Sequence, residues 1–188
     1  IRQFTMQIGD FLVKNNVKMI VIACNTVSAT CLEDLRKAYP DIPIIGVISP
    51  TAKVVAKECE DEDHIGIIAT KVTIKTNAYE KKVHEKRQGL QLFSKACPAF
   101  VPLIEEGIIK NDIMDLTIKY YLDDFIKANK INTLVLGCTH YPLIGENLRR
   151  IYPGLKIISS SKEVATAVKI ELEKRDMFAE ETQLKNVF

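Results

Sequence analysis

The sequence lacks the features that nucleic-acid-binding and membrane-spanning proteins usually display. Its 26 lysine and arginine residues are balanced by 24 acidic residues, and no basic run or stripe stands out. No apolar run approaches the ~20 residues that a helix needs to cross a bilayer. We therefore expect neither nucleic acid nor a membrane as a partner. The 47% of hydrophobic residues indicates an ordinary globular protein.

The cysteines lack the pairing pattern of a disulfide framework or a zinc finger. They are five, an odd number, and none are spaced C-x-x-C. The three histidines are scattered, and the one close pair, Cys138 and His140, is by itself a poor metal signature. Free thiols are typical of a reducing compartment. We therefore expect a cytoplasmic protein without a metal site.

The chain also lacks a linker rich in glycine or serine, and its predicted strands alternate with helices throughout. Strands are predicted over residues 18–23, 42–48, 64–69, 90–93, 133–136 and 155–158. Helices are predicted over residues 1–15, 28–39, 70–87, 112–128, 142–151 and 160–175, with another that starts at Pro50. This alternation predicts an α/β fold of parallel, doubly wound sheets.

The predicted elements divide into two lobes. We place one boundary at Ser49-Pro50 and a return crossing near Pro153-Gly154. The first lobe then comprises residues 1–49 and 155–188, and the second comprises residues 50–154.

One stretch of the chain occurs twice. A β-branched strand without alternation, as in strands buried on both faces, leads into Cys24-Asn25-Thr26, and a similar strand leads into Cys138-Thr139-His140. The following segments also match, because residues 35–40 are Leu-Arg-Lys-Ala-Tyr-Pro and residues 148–153 are Leu-Arg-Arg-Ile-Tyr-Pro. Each copy would present a thiol at the carboxyl end of a strand, where open α/β sheets bind ligands.

A thiol at a strand-to-helix turn faces backbone N–H groups and the positive end of a helix dipole. Both lower the pKa of a thiol from its usual ~8.5, and both attract anions such as carboxylates. Asn25, Thr26 and Thr139 add side-chain donors at the same two turns. Each unit therefore offers a base and part of a carboxylate site.

Two facing thiols suggest proton exchange at a carbon atom held between them. One thiolate removes the proton, and the opposite thiol delivers another to the other face, which inverts the stereocentre. A single base would return the proton to the face that it left. His140, two residues after Cys138, could accept or hold the proton of that thiol. The pattern favours a racemase.

Other interpretations of these residue types stay open. A cysteine at a strand end is often a small buried apolar residue without chemistry. Thr70 and Thr73 bracket a third strand-to-helix turn, but threonine is a frequent N-cap, so spacing alone assigns them no ligand. The remaining cysteines and histidines are interpreted as structural or surface residues: Cys31, Cys59, Cys97, His64 and His84.

The two thiol motifs resemble those of the glutamate racemases, a cofactor-independent family that makes D-glutamate for bacterial peptidoglycan. The resemblance rests on residues 23–29, Ala-Cys-Asn-Thr-Val-Ser-Ala, and on residues 136–143, Leu-Gly-Cys-Thr-His-Tyr-Pro-Leu. Further stretches that fit the family are residues 44–48, 70–74, 77–79 and 96–105.

The resemblance implies a role for each matching residue. Cys24 would be the base toward D-glutamate and Cys138 the base toward L-glutamate, with His140 assisting Cys138. Glu105 would support the site from behind at most. The residues that would hold the carboxylates and the amino group of the substrate are Asn25, Thr26, Thr70, Thr73 and Thr139.

The resemblance also implies two pseudosymmetric α/β lobes with the active site between them. It implies a homodimer and catalysis without a metal or a pyridoxal cofactor. Related aspartate racemases usually carry a glutamate where His140 stands and a histidine near Ser28. This sequence follows the glutamate pattern at both places.

The sequence departs from the family's pattern at both ends. The N-terminal strand, its Asp-Ser-Gly-Val-Gly-Gly loop with the aspartate that partners the first cysteine, and a Pro-Tyr-Gly segment have no counterpart. The C-terminal strand with its Thr-Gly-Asp stretch is also missing, although residues 186–188 read like the start of a strand. Residues 159–161 are serines where Asp-Ser-Gly is usual, and Ala69 replaces a common glycine. We expect a chain truncated at both ends that is not by itself a competent catalyst.

Three functions remain to be separated. The first is glutamate racemisation, and the second is racemisation of another acidic amino acid such as aspartate. The third is an inactive fragment or an anion-binding module. Rates on the two amino acids separate the first two. Serine in place of Cys24 and of Cys138 tests the two-thiol mechanism, and a folded protein that exchanges no α-proton indicates the third.

Overall fold

The computed structural model describes residues 1–179, in which strands and helices alternate as the sequence predicts. The strands are β1 (Ile20–Ile22), β2 (Ile44–Gly46), β3 (His64–Ala69), β4 (Gln91–Ala96), β5 (Thr133–Gly137) and β6 (Lys156–Ser159). The helices are α1 (Arg2–Lys14), α2 (Asn25–Thr30), α3 (Leu32–Ala38), α4 (Ile48–Glu58), α5 (Lys71–Lys75), α6 (Ala78–His84), α7 (Phe100–Glu105), α8 (Asp112–Asn129), α9 (Gly145–Ile151) and α10 (Ser161–Lys174), with a 3-10 turn at Tyr141–Ile144. The strand expected to start at residues 186–188 lies outside the described residues.

The strands form two parallel sheets, which confirms the predicted α/β class. β1 pairs with β2, and the larger sheet has the order β4-β3-β5-β6. The chain leaves β3 toward one edge and returns to the other side of it, so the strand order reverses between β3 and β5. Open α/β sheets bind ligands outside the carboxyl ends of the strands at such a point. Thr70 and Cys138 are the first residues after these two strands. They lie side by side, because Ala69 is the register partner of Gly137.

Helices cover both faces of the larger sheet, which is why β3 and β5 are almost continuously apolar. Val55 of α4, Val83 of α6 and Val164 of α10 pack on one face. On the other face the packing comes from Phe100 of α7, Ile118 of α8 and Leu148 of α9. In residues 1–179, no helix is both long and apolar enough to cross a membrane.

The two thiol motifs fold into the same supersecondary unit. In each copy a strand leads through the cysteine into a short helical turn, a seven-residue helix and a parallel partner strand. The similarity extends to the helix before each strand. The Tyr39 hydroxyl donates to Asp10 of α1, and the Tyr152 hydroxyl donates to Asp123 of α8, both at 2.6 Å. The repeat is therefore longer than the sequence match indicated.

The helices differ from their predicted bounds at several points. The helix predicted over residues 28–39 is divided at Cys31 into α2 and α3. The helix predicted over residues 70–87 is divided at Asn77, which has a left-handed φ of 51° that asparagine tolerates better than most residues. A short helix, α7, lies between the strand predicted over residues 90–93 and the helix predicted over residues 112–128.

Ser160, followed three residues later by Glu163, has the sequence pattern of a capping box, but the box does not form. Ser160 is the N-cap of α10, but its side chain makes no capping hydrogen bond. Its φ of −81° and ψ of −17° are already helical, whereas a capping side chain needs extended backbone at that position.

The smaller sheet is less enclosed than the sequence predicts. Val21 in the middle of β1 is 41% exposed, although the strand was expected to be buried on both faces. The pairing of β6 with β5 also places residues 156–159 in the larger sheet. The chain therefore leaves that sheet after β6, not near residues 153–154, and residues 180–188 of the proposed first lobe lie outside the described part.

Candidate active site

The sequence-predicted site residues follow the carboxyl ends of three strands. Cys24 comes after β1 and is exposed, whereas Cys138 comes after β5 and is only 7% exposed. The two thiol turns are adjacent, because the hydroxyl of Thr139, the residue after Cys138, donates to the carbonyl of Ala23, the residue before Cys24. The other candidates occupy the same turns: Asn25, Thr26, Thr70, Thr73, Thr139 and His140.

Three threonine hydroxyls join the turn after β1 to the turn after β3. The Thr26 Oγ1 lies 2.9 Å from the Thr70 Oγ1 and 3.1 Å from the Thr73 Oγ1. The last two oxygens are 3.1 Å apart, and Thr70 also caps α5 by accepting from the Thr73 N–H at 3.3 Å. Thr70 is therefore an N-cap and a member of the cluster at once. Because hydroxyl protons rotate freely, the cluster could turn them toward a bound carboxylate.

The turn after β5 is held against the turn after β1 by Thr139. Its hydroxyl donates to the carbonyl oxygen of Ala23 at 2.7 Å. This bond occupies the one proton of that hydroxyl, so Thr139 would have to leave Ala23 to donate to a ligand. In the observed state Thr139 fixes the relative position of the two thiol turns.

Asn25 is buried between these turns, with 2% of its surface exposed. Its Oδ1 accepts a hydrogen bond of 2.6 Å from the hydroxyl of Tyr79, which is also buried. Within residues 1–179, the Asn25 Nδ2 is the only buried side-chain nitrogen or oxygen that has no hydrogen-bond partner. A donor in this state is ready for an acceptor that arrives with a ligand.

His140 lies between Cys138 and Glu105. Its Nδ1 is 3.9 Å from the Cys138 sulfur, and its Nε2 is 3.1 Å from the Glu105 Oε1. An ionised carboxylate only accepts hydrogen bonds, so Nε2 carries the proton in neutral His140, and Nδ1 presents its lone pair to the thiol. Glu105 therefore lies behind His140 and contacts neither thiol, which agrees with the supporting place that the resemblance implied.

The pKa of Cys138 is raised, contrary to the expectation for a thiol at a helix start. Burial is the main cause. The backbone N–H groups of residues 139–141 do lower this pKa, but the cost of placing a charge in a dry site outweighs them. The helical segments are also short, with six residues in α2 and four in the 3-10 turn, so the expected dipole contribution is small. Cys138 rests as a neutral thiol.

Sequence reasoning missed the part that Tyr79 plays in this site. The resemblance includes residues 77–79, but it implies no function for the tyrosine. The available signal was a lone aromatic residue among the charged residues of a short helix that follows a threonine turn. Ala23 was missed because its contribution is a backbone carbonyl.

All five cysteines are free. Among residues 1–179, no group of three or more histidine, cysteine and acidic side chains is arranged to hold a metal ion.

Residues 5–168 match the family model described as Asp/Glu/Hydantoin racemase. A glutamate racemase of Sulfurihydrogenibium sp. (strain YO3AOP1) is 42% identical over 99% of this chain and 69% of its own length. One from Persephonella marina is 41% identical over 89% of this chain and 63% of its own length.

Among solved structures, the glutamate racemase from Francisella tularensis subsp. tularensis SCHU S4 in complex with D-glutamate is similar with a TM-score of 0.88 and 34% identity. The similarity covers 98% of this chain and 67% of that one. The chain thus spans about two thirds of the length of these relatives.

Proposed function

Because the chain belongs to the Asp/Glu/Hydantoin racemase family, we propose that it interconverts L-glutamate and D-glutamate and so supplies D-glutamate for peptidoglycan. The observation that carries the proposal is the pair of thiols, Cys24 and Cys138, at two turns that a hydrogen bond joins. The D-glutamate bound to the Francisella relative supports this choice of substrate. Catalysis proceeds without a cofactor, because two bases on opposite faces suffice for inversion.

In the L-to-D direction, Cys138 begins as a thiol and passes its proton to the Nδ1 of His140. The Cys138 thiolate then removes the α-proton of L-glutamate, and Cys24 donates its own proton to the opposite face. The products are D-glutamate, a neutral Cys138, a Cys24 thiolate and a protonated His140. The enzyme is reset when His140 releases its proton to solvent and Cys24 takes one up from solvent. The D-to-L direction exchanges the parts played by the cysteines.

The carbanion formed at the α-carbon needs its negative charge stabilised by groups that are already in place. Asn25, Thr26, Thr70 and Thr73 are the donors that we assign to the carboxylates and the amino group, with Thr139 joining them once its hydroxyl leaves Ala23. The buried Nδ2 of Asn25 and the rotatable hydroxyls of the threonine cluster support this assignment. Replacing each donor in turn and measuring the affinity for glutamate tests this assignment.

His140 is proposed to hold the proton that Cys138 gives up. The carboxylate of Glu105 stabilises the imidazolium that results, since the two groups are 3.1 Å apart. A thiol whose pKa burial has raised needs such a local acceptor to ionise near neutral pH. Cys24 is exposed, so water can exchange its proton directly.

The deciding measurement is loss of the α-proton signal in D2O by NMR, with L- and D-glutamate supplied separately. We would compare this chain with a form extended at both ends to the length of its relatives. Inversion that disappears on replacing either Cys24 or Cys138 with serine supports the proposal. Inversion that survives both replacements would refute the two-thiol mechanism. A folded protein that exchanges nothing in either form would indicate an anion-binding module instead.

Aspartate is the alternative substrate, because the family model includes aspartate racemases. The histidine at position 140 favours glutamate. A kcat/KM for aspartate above that for glutamate would overturn our choice of substrate but leave the chemistry intact.

The homodimer implied by the resemblance and the cytoplasmic location are further parts of the proposal. Five free thiols support a reducing compartment. Sedimentation equilibrium at micromolar concentration tests the dimer, which should show twice the mass of one chain. A single-chain mass over the whole concentration range would contradict it.

A further inference from the structure

Tyr79 connects the two thiol turns from beneath. Its hydroxyl bonds to Asn25, the residue after Cys24. Its ring lies against Gly137, the residue before Cys138, where an added Cβ would be only 3.1 Å from the ring's Cε2. We propose that Tyr79 is a positioning residue that holds the Asn25 amide with its NH2 group toward the substrate carboxylate. This inference rests on the proposed racemase function and deepens it.

The length of the hydrogen bond identifies which end of the amide faces Tyr79. At 2.6 Å it lies in the range of O–H···O bonds and below the usual range of N–H···O bonds. Burial raises the pKa of Tyr79, so the phenol keeps the proton that it donates in this bond. The Asn25 Oδ1 is therefore the acceptor, and Nδ2 must point away from Tyr79.

The orientation of this amide decides whether the site attracts or repels an anion. An amide has almost the same shape after a 180° flip, so only its hydrogen bonds distinguish the two orientations. With Oδ1 held by Tyr79, the unpartnered Nδ2 offers its protons to a carboxylate. With the amide flipped, an oxygen would face the carboxylate, and the two would repel each other.

The two repeats differ at this position, which explains why one phenol is enough. The second copy has Thr139 where the first has Asn25, and the Thr139 hydroxyl is held by the carbonyl of Ala23. A hydroxyl needs no fixed orientation, since it rotates to suit its partner. Only the Asn25 side requires an orienting group, and the absence of a side chain at Gly137 gives the Tyr79 ring room to reach it.

Tyr79→Phe removes the hydroxyl and retains the ring. We expect KM for both enantiomers of glutamate to rise about tenfold, equivalent to roughly 1.4 kcal/mol of binding, with a smaller change in kcat. In the background of Asn25→Ala the same substitution should change KM less than about twofold, because a positioning residue acts only through the group that it orients. Tyr152→Phe is the matched control, since it removes a phenol hydrogen bond of the same 2.6 Å length outside the site.

An unchanged KM in Tyr79→Phe would overturn the inference. An equal rise in KM on this substitution in the wild-type and Asn25→Ala backgrounds would also overturn it. Asn25→Asp gives a second test with the side-chain shape retained: it keeps an acceptor for Tyr79 but replaces the donor, so glutamate binding should be lost. Normal binding by this variant would exclude Nδ2 as the carboxylate donor. Calorimetric titration with D-glutamate supplies the same comparisons as a dissociation constant. A folded protein, extended at both ends to the length of its relatives, that neither binds nor racemises glutamate would instead refute the function on which the inference rests.

Discussion

Replacing Cys138 with serine should separate removal of the α-proton from inversion. The variant retains Cys24, which is the base toward D-glutamate in our assignment. We expect D-glutamate to exchange its α-proton for deuterium in D2O while keeping its configuration. L-glutamate should show no exchange, because its α-proton faces the missing base.

The size of the effect follows from the surroundings of the two thiols. A well-placed acid or base typically contributes a factor of 10² to 10⁴, or about 3–5 kcal/mol, and inversion should fall by that amount. Exchange with retention should fall much less, because Cys24 is exposed and its S–H proton is replaced from water before it returns. Cys138 is 7% exposed, so it lacks this direct route to solvent.

Measuring exchange is necessary because rates of inversion alone cannot assign a base to a face. The two enantiomers have equal free energies in an achiral solvent, so kcat/KM must be equal in the two directions for every variant. Loss of the α-proton signal by NMR, combined with chiral separation of the recovered amino acid, distinguishes retention from inversion.

Cys24→Ser is the mirror-image control. It should restrict exchange to L-glutamate, and exchange should be slower there because the proton has to leave buried Cys138 through His140. A Cys138→Ser variant that exchanges L- and not D-glutamate would reverse our assignment of the two faces. One that still inverts its substrate at the wild-type rate would refute the two-base mechanism.

Three further predictions concern groups around the thiols. Glu105→Gln should lower kcat/KM about two- to fivefold in both directions, as expected for the loss of a solvent-exposed ion pair. Raising the ionic strength should reduce the difference from wild type, and a larger effect that salt does not change would contradict a purely electrostatic role. In urea titrations, Thr26→Val should lower the free energy of unfolding by about 1–2 kcal/mol, because it removes two hydroxyl contacts in the threonine cluster. Thr26→Ser keeps the hydroxyl and should retain most of the wild-type stability, and equal losses in the two variants would mean that the methyl group matters more than the hydroxyl. Burial raises the pKa of Cys97 from 9.0 to about 12, so the unfolded chain loses this proton at a lower pH than the folded chain does. The free energy of unfolding should therefore fall between those pH values by up to ~1.4 kcal/mol per pH unit. Urea titrations across that range should show a smaller slope for Cys97→Ala than for wild type.

Local patterns in the sequence predicted most of the elements that position the site. The apolar runs before Cys24 and Cys138 are strands, and Asn111 caps α8 through a hydrogen bond of 3.1 Å from the Met114 N–H. These features depend on residues that are only a few positions apart, so the local sequence contains every residue that forms them. The break at Asn77 within the helix over residues 70–87 was not predicted, because asparagine also occurs inside helices and its left-handed φ of 51° is visible only in the structure.

The sequence by itself determined that each of two thiols follows a strand of a parallel sheet, since a repeated motif and a strand-to-helix pattern suffice for that inference. Only the tertiary structure decided which groups meet around them. The Tyr79–Asn25 bond joins residues 54 positions apart, and the Thr139–Ala23 bond joins residues 116 positions apart. Desolvation is equally non-local: the raised pKa of Cys138 depends on every element that covers it, and neighbours in sequence predicted the opposite shift.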